Sequence, residues 1–356
     1  MLRAARVCAL LVGLLPLHAD TPVYADKKNL LFYLDTAGRK HPVQSPADWA
    51  KRVAHIQANM EAVMGPLPPA TSVPLDLRIV EEVRSDAYTR RRITFVSEPG
   101  DPVPAYLFTP HKRVGRLPAM ICLPGSSEPG KEVPAGLAGS PNLAYAHELA
   151  ERGYVTIAID YPLLHRREYK TDPYELGYLS ATMKGIVNHR RAVDLLRSLP
   201  YVDPNRIGVI GHSLGGHNAL FLAVFDPRVR VIVSSCGFNV FSKHHGGDIT
   251  AWSSRYYMPL IATRYANDPG KVPFDFTEVL AALSPRAVFI NAPLHDSPDF
   301  EVSGVRDCIN AAAPVYALFG AKDRLQASYP DAGHDFPPDV RLLAFAFLDR
   351  WLQFRP

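Results

Sequence analysis

The sequence predicts an α/β fold: a mainly parallel central sheet with helices on both faces and antiparallel strands toward the N-terminus. Three observations carry this. Alternating segments at 75–83, 88–96 and 103–108, divided by Ser85-Asp86 and Pro99-Gly100-Asp101-Pro102, read as antiparallel strands joined by turns. After residue 117 the pattern becomes apolar strand followed by helix, repeated to the C-terminus, which calls for parallel strands with covering helices. The chain has 356 residues, 47% hydrophobic and 21% charged, enough to bury one large core.

Taken in order, Arg3 and Arg6 precede an apolar run over 7–17 that is too short to cross a bilayer as a helix. This is the layout of a secretory signal peptide, placed at 1–25. Cleavage after Ala19 or after Ala25 fits, the second with small residues in the better places. No later stretch is apolar for long enough to span a membrane, so the mature chain is expected to be periplasmic or secreted, without stable membrane insertion. Residues 26–72 form a helical preface: Trp49, Val53, Ile56, Met60 and Val63 share one face, and Gly65 with Pro66, Pro68 and Pro69 ends the run.

The main domain is assigned to 73–356. Parallel strands are expected at 119–123, 154–159, 206–210, 229–233, 288–290 and 325–329. Helices are expected at 142–152 (Ser140 as cap, Gly153 as stop), before residue 199, at 218–225, 311–319 and 340–352. Residues 236–285 carry many aromatics and no clear period. In an open parallel sheet such an insertion leaves the carboxyl ends of the strands, where ligands bind, so it is expected to wall the pocket.

The net charge of +4 comes with no basic run longer than Arg90-Arg91-Arg92, which lies on an alternating strand; nucleic acid is not an expected partner. Without the leader, Cys122, Cys236 and Cys308 remain, which is no disulfide framework. Oligomeric state is not legible.

The chemistry centres on Gly211-His212-Ser213-Leu214-Gly215-Gly216. A Gly-x-Ser-x-Gly pattern alone arises by chance in roughly one chain in ten of this length. Here a buried strand precedes it and a helix follows, which puts Ser213 on a sharp strand-to-helix turn with its hydroxyl projecting at the sheet edge. Serine needs a base. His334, in Gly333-His334-Asp335-Phe336, follows the last strand and is the candidate; His189 is inside a helix, His111 lies between antiparallel strands, and His212 is expected to face away. The orienting acid should fall between serine and histidine. Asp323 is too near His334 for a crossover helix to fit between their strands. Asp296, in the loop after 288–290, is chosen over Asp299 in the same loop and Asp248 in the insertion. Oxyanion donors are expected from the backbone of Leu214 and of Ser126, the latter after Pro124-Gly125.

These residues resemble the α/β-hydrolase superfamily from about residue 73 onward, and within it the exported bacterial serine esterases related to acetyl xylan esterases and dienelactone hydrolases. The likeness lies in Val202-Asp203-Pro204-Asn205-Arg206-Ile207-Gly208 running into the serine motif, in Ser284-Pro285-Arg286, in Ala292-Pro293-Leu294-His295-Asp296, and in Gly333 to Pro337. It implies the α/β-hydrolase fold and a Ser213-His334-Asp296 triad. Pro124-Gly125 stands where the family has His-Gly, and Ser213 stands where dienelactone hydrolases have Cys.

The expected function is a carboxylesterase-type serine hydrolase acting on a small-molecule or carbohydrate ester such as acetylated xylan, with Trp252 and Tyr256 as candidate sugar-stacking residues. A peptidase of the prolyl-oligopeptidase kind shares the serine motif, but the preface is too small for a propeller. A binding protein on the same scaffold would have little use for both Ser213 and His334. A metal enzyme on His244, His245 and Asp248 is disfavoured, because adjacent histidines point apart unless the loop bends and a Ser-His pair needs no metal. No cofactor or metal is expected.

Overall fold

A computed structural model describes residues 21–112 and 114–356. Nearly all of the expected leader therefore lies outside the described residues. The chain opens with a two-stranded antiparallel hairpin, β1 (Phe32–Leu34) and β2 (Lys40–Pro42), which the sequence did not suggest because three half-exposed residues carry no legible period. Helix α1 (Pro46–Met64) starts where Ser45 accepts the Asp48 N–H, has Pro46 at its first position, and stops at Gly65 with φ 92°.

Three antiparallel strands follow: β3 (Arg78–Arg84), β4 (Tyr88–Glu98) and β5 (Asp101–Pro110). The alternation then begins with β6 (Leu117–Leu123), α2 (Tyr145–Glu151), β7 (Val155–Ile159), α3 (Ala181–Ser198), β8 (Val202–His212), α4 (Leu214–Phe225) and β9 (Val229–Ser235). It ends with α5 (Leu260–Tyr265), α6 (Phe276–Ala282), β10 (Ala287–Asn291), α7 (Val302–Leu318), β11 (Leu325–Ser328) and α8 (Pro338–Trp351). The nine strands run in the order β11-β10-β9-β8-β6-β7-β5-β4-β3, parallel from β11 to β7 and antiparallel beyond. β6 and β8 are neighbours at the middle, buried along their apolar runs, with helices on both faces.

Several boundaries moved. Ser140 caps a separate turn of 3₁₀ helix, Pro141–Leu143, and α2 begins after it with no side-chain cap. α7 starts well ahead of residue 311, where Glu301 accepts the Ser303 and Gly304 N–H groups. Its buried stripe includes Gly304, Cys308 and Ala312, small residues that weaken the periodic signal. The 236–285 insertion is more ordered than its sequence suggested. Phe241, Trp252, Phe274 and Phe276 pack ring against ring, and Phe276 stacks on Phe221 of α4 at 5.6 Å. Much of the insertion is therefore core, fixed to the helix that follows Ser213.

The preface is bolted to the same insertion. Arg52 of α1 donates to the Glu278 carboxylate of α6 at 2.7 Å, both side chains fully buried, and its guanidinium lies over the Tyr24 ring. Tyr24 is itself buried; its hydroxyl accepts the Leu34 N–H and hydrogen-bonds His55 Nδ1 at 2.8 Å. Tyr24 thus belongs to the folded body. A cut after Ala25 would remove it, whereas a cut after Ala19 would keep it.

Removing one partner of a buried ion pair leaves the other charge uncompensated, at a cost of about 3–5 kcal/mol. Arg52→Met should lower the urea midpoint accordingly, and adding Glu278→Gln should restore most of the loss. A single variant as stable as the parent would show that the pair does not hold the preface.

Candidate active site

β8 delivers Ser213 to the carboxyl edge of the sheet and α4 leaves from it. Ser213 has φ 56° and ψ −120°, a left-handed conformation that costs a non-glycine residue on the order of 1–3 kcal/mol and persists only when its surroundings enforce it. They do. The Ser213 N–H donates to the Ser235 carbonyl of β9 at 2.9 Å, and the Ser213 carbonyl accepts the Gly216 N–H at 2.8 Å. A β-carbon on Gly211 would fall inside the Gly215 carbonyl, and one on Gly215 inside the Leu123 carbonyl at the end of β6. The two motif glycines are thus required by close backbone approach. Leu214 opens α4, where first-turn N–H groups have no intrahelical acceptor and the helix dipole favours negative charge.

The loop after β6 lies against this turn: a β-carbon at Gly125 would sit 3.7 Å from that of Ser213. His165 holds the loop. Its Nδ1 accepts the Tyr161 N–H at 2.8 Å, so Nε2 carries the proton and donates to the Gly125 carbonyl at 3.0 Å. Burial pushes the His165 pKa down to about 4, so the ring stays neutral. Ser126 is the next residue along this pinned loop.

Asp296 and His334 arrive on neighbouring loops. The parallel pairing of β10 with β11 continues past both strands: Ala292 N–H donates to the Ser328 carbonyl, Leu294 to Pro330 and His295 to Ala332, at 2.9–3.0 Å. This brings His334 Nδ1 to 2.8 Å from Asp296 Oδ1, with the carboxylate side chain fully buried. A carboxylate only accepts, so Nδ1 donates and Nε2 keeps its lone pair. A tight turn fixes the histidine, Asp335 N–H donating to the Gly333 carbonyl at 2.7 Å. The Asp335 carbonyl then accepts Asn291 Nδ2 at 2.9 Å and the Cys236 thiol at 3.4 Å.

His212 does not face away. Its ring lies 4.6 Å from that of His334, and its Nδ1 hydrogen-bonds Ser235 Oγ at 2.9 Å. The turn at Ser213 reverses the chain, so the residue before it looks along the sheet edge instead of across it. Burial first, then the nearby His334 charge, pushes the His212 pKa down to about 3, leaving it neutral. Phe300 stacks on the other side of His334, with centroids 5.1 Å apart and planes 13° from parallel. Among the described residues no hydrogen bond joins Ser213 Oγ to His334; the imidazole sits beside the serine turn, between His212 and Phe300.

The remaining candidates separate cleanly. Asp323 pairs with Arg350 at 2.9 Å on the surface, and α7 ends at Leu318 ahead of it. Asp299 meets His245 at 3.0 Å, and Asp248 caps Thr250. Trp252 is only 5% exposed and packed between Phe241, Phe276 and His217, which corrects its assignment as an open sugar platform. Tyr256 is 40% exposed. All three described cysteines are buried and unpaired. Phe300, His165 and Asn291 were not singled out from the sequence; none carries a motif role, and contacts distant in sequence bring each to the site.

A family model described as the Abhydrolase family matches residues 36–306, more than half of the chain. The chain belongs to the Abhydrolase family. It is a hydrolase of the α/β type, and Ser213 and Asp296 fall within the matched residues while His334 lies beyond them. The Bacillus subtilis (strain 168) protein YtaP, provisionally assigned as a hydrolase, is 29% identical over 70% of this chain and 83% of its own. A glucuronoyl esterase from Solibacter usitatus superposes with a TM-score of 0.69 at 20% identity, covering 93% of this chain and 99% of that one. A Bacteroides fragilis NCTC 9343 protein provisionally assigned as an acetyl xylan esterase gives 0.60 at 20% identity, covering 80% and 76%. No helix among the described residues of this α/β-hydrolase is long and apolar enough to cross a membrane.

The depressed His165 pKa fixes a pH dependence. In the unfolded chain this imidazole takes up a proton near pH 6.5, in the folded one near pH 4, so folded stability is full above 6.5 and lost as pH falls toward 4. At pH 5 the loss from this group is about 2 kcal/mol. His165→Gln, which keeps a donor for Gly125, should shrink the drop in urea midpoint between pH 7 and pH 5; an unchanged drop would show that His165 does not titrate as described.

Proposed function

We propose that this α/β-hydrolase is a serine esterase using Ser213 as nucleophile, His334 as general base and acid, and Asp296 to hold the imidazole. The observation that carries the reading is the 2.8 Å His334–Asp296 bond beside a serine held at φ 56° on the same sheet edge. With Nδ1 tied to the carboxylate, the Nε2 lone pair is the proton acceptor that a serine hydroxyl needs. The mechanism requires Ser213 Oγ and His334 Nε2 to come into contact when substrate fills the site.

The chemistry is two-step acyl transfer. Ser213 Oγ attacks the ester carbonyl as its proton passes to His334 Nε2. The Leu214 and Ser126 N–H groups take up the oxyanion charge. Collapse breaks the carbonyl–alkoxy bond, and His334 gives its proton to the departing alcohol. Water then attacks the acyl-enzyme, His334 takes its proton, and release of the acid returns that proton to Ser213. Neutral His212 suits this cycle, since a second charge beside an imidazolium would oppose it.

For substrate we propose carboxylic esters borne on carbohydrates. The resemblance to exported esterases and the folds shared with a glucuronoyl esterase and an acetyl xylan esterase candidate support this. Tyr256 is the exposed aromatic available to a sugar ring. The leader-like N-terminus supports a periplasmic or secreted location, with the cut after Ala19.

A panel of p-nitrophenyl esters, acetylated xylo-oligosaccharides, uronate esters and peptide amides tests the reading. Turnover is expected on esters and not on amides. Ser213→Ala should lower kcat about 10⁶-fold and Asp296→Asn about 10⁴-fold. Asp323→Asn should stay within about twofold, as an exposed ion pair contributes little. Full activity in Ser213→Ala refutes the mechanism, and sensitivity at Asp323 with none at Asp296 refutes the choice of acid.

A further inference from the structure

A second cluster of chemistry-bearing side chains lies one turn away from His334. The segment after β9 bends left-handedly at His245 (φ 45°, ψ 40°) and Gly246 (φ 69°). This is the bend without which adjacent histidines would point apart. It turns both imidazoles toward one carboxylate oxygen: Asp299 Oδ1 is 3.0 Å from His245 Nε2 and 3.6 Å from His244 Nε2. The ligand atoms of all three side chains lie within 4.8 Å of one another.

His244 makes the cluster more than a surface ion pair. Its side chain is 4% exposed, and its Nδ1 lies 3.2 Å from the Asp299 backbone carbonyl. A carbonyl only accepts, so Nδ1 carries the proton and the neutral ring presents a lone pair at Nε2. That buried nitrogen has no hydrogen-bond partner, and it points at a carboxylate oxygen beyond hydrogen-bond range. Two electron-rich atoms facing each other, the nitrogen buried and the Asp299 side chain 40% exposed, offer a seat for a cation that solvent can reach. The Nδ1–H to carbonyl bond is also the arrangement that orients metal-binding histidines.

We propose that His244, His245 and Asp299 form a binding site for a divalent transition-metal ion of the zinc class. Bonds of about 2.0–2.2 Å to nitrogen and oxygen in a tetrahedron place donors about 3.4 Å apart, and the two measured separations bracket that value. Two imidazoles and one carboxylate favour zinc over calcium or magnesium. Three protein donors leave a fourth position for water or another oxygen ligand. The ion would clasp the insertion to the Pro298–Phe300 turn, whose last residue stacks on His334. The site replaces the Asp248 set considered from sequence, because Asp248 is engaged with Thr250.

The test does not depend on the esterase reading, since it measures binding. The full chain, stripped with a chelator, is titrated calorimetrically with Zn²⁺, and metal content is measured after dialysis. Parallel titrations use His245→Ala, Asp299→Asn and Cys236→Ser, the last controlling for the separate His212, Cys236 and His334 group. One zinc per chain is expected in wild type and in Cys236→Ser. Affinity should fall by more than the roughly 10–100-fold typical of losing an outer-shell partner in both His245→Ala and Asp299→Asn. No binding in wild type, binding unmoved by Asp299→Asn, or binding lost in Cys236→Ser would each overturn the proposal.

Discussion

Around Ser213 the ends of β6, β8 and β9 come so close that only bare backbone fits, and the rest of the site depends on this convergence. Gly215 rests against the Leu123 carbonyl, Gly211 against Gly215, and the Ser213 N–H is held by Ser235. With three strands locked, the serine has one conformation open to it. Its strain is offset by the burial of the central strands and of α4, whose residues are all buried.

Around that fixed point the polar groups are kept neutral or tied. His165 and His212 are both held uncharged by burial, His165 with both ring nitrogens hydrogen-bonded and His212 with its Nδ1 on Ser235. His165 braces the loop beside the serine, and His212 walls the slot in which His334 sits. Asn291 connects Ser235 Oγ to the Asp335 carbonyl, so the end of β9, the end of β10 and the histidine loop share one donor. Beside them, the His334–Asp296 pair is joined by its own 2.8 Å hydrogen bond.

Much of this was legible in the sequence because it rests on local rules. Every strand of the large sheet was visible as an apolar or alternating run, and Gly211 and Gly215 announced the turn through the spacing that close backbone approach imposes. The order of elements also separated Asp296 from Asp323, since a crossover helix needs room. What was hidden is non-local. Trp252 looked like an exposed aromatic in an irregular loop, and only its packing against Phe241 and Phe276 reveals a core residue. His212 was misread because the reversal at Ser213 redirects its neighbour. Phe300 and His165 belong to no motif, and Tyr24 looked like part of a leader because small residues placed as in a cleavage site end at Ala25, whereas in space Arg52 covers its ring.

β11 is the outermost strand on its side, only four residues long and half-buried throughout, and the loop carrying His334 leaves from it. Because hydrogen bonds from the β10 loop continue across to it, fraying at this border would carry the imidazole and its carboxylate off together while the serine stayed seated in the middle. Amides around residues 325–335 would then exchange with solvent sooner than those of β6 and β8.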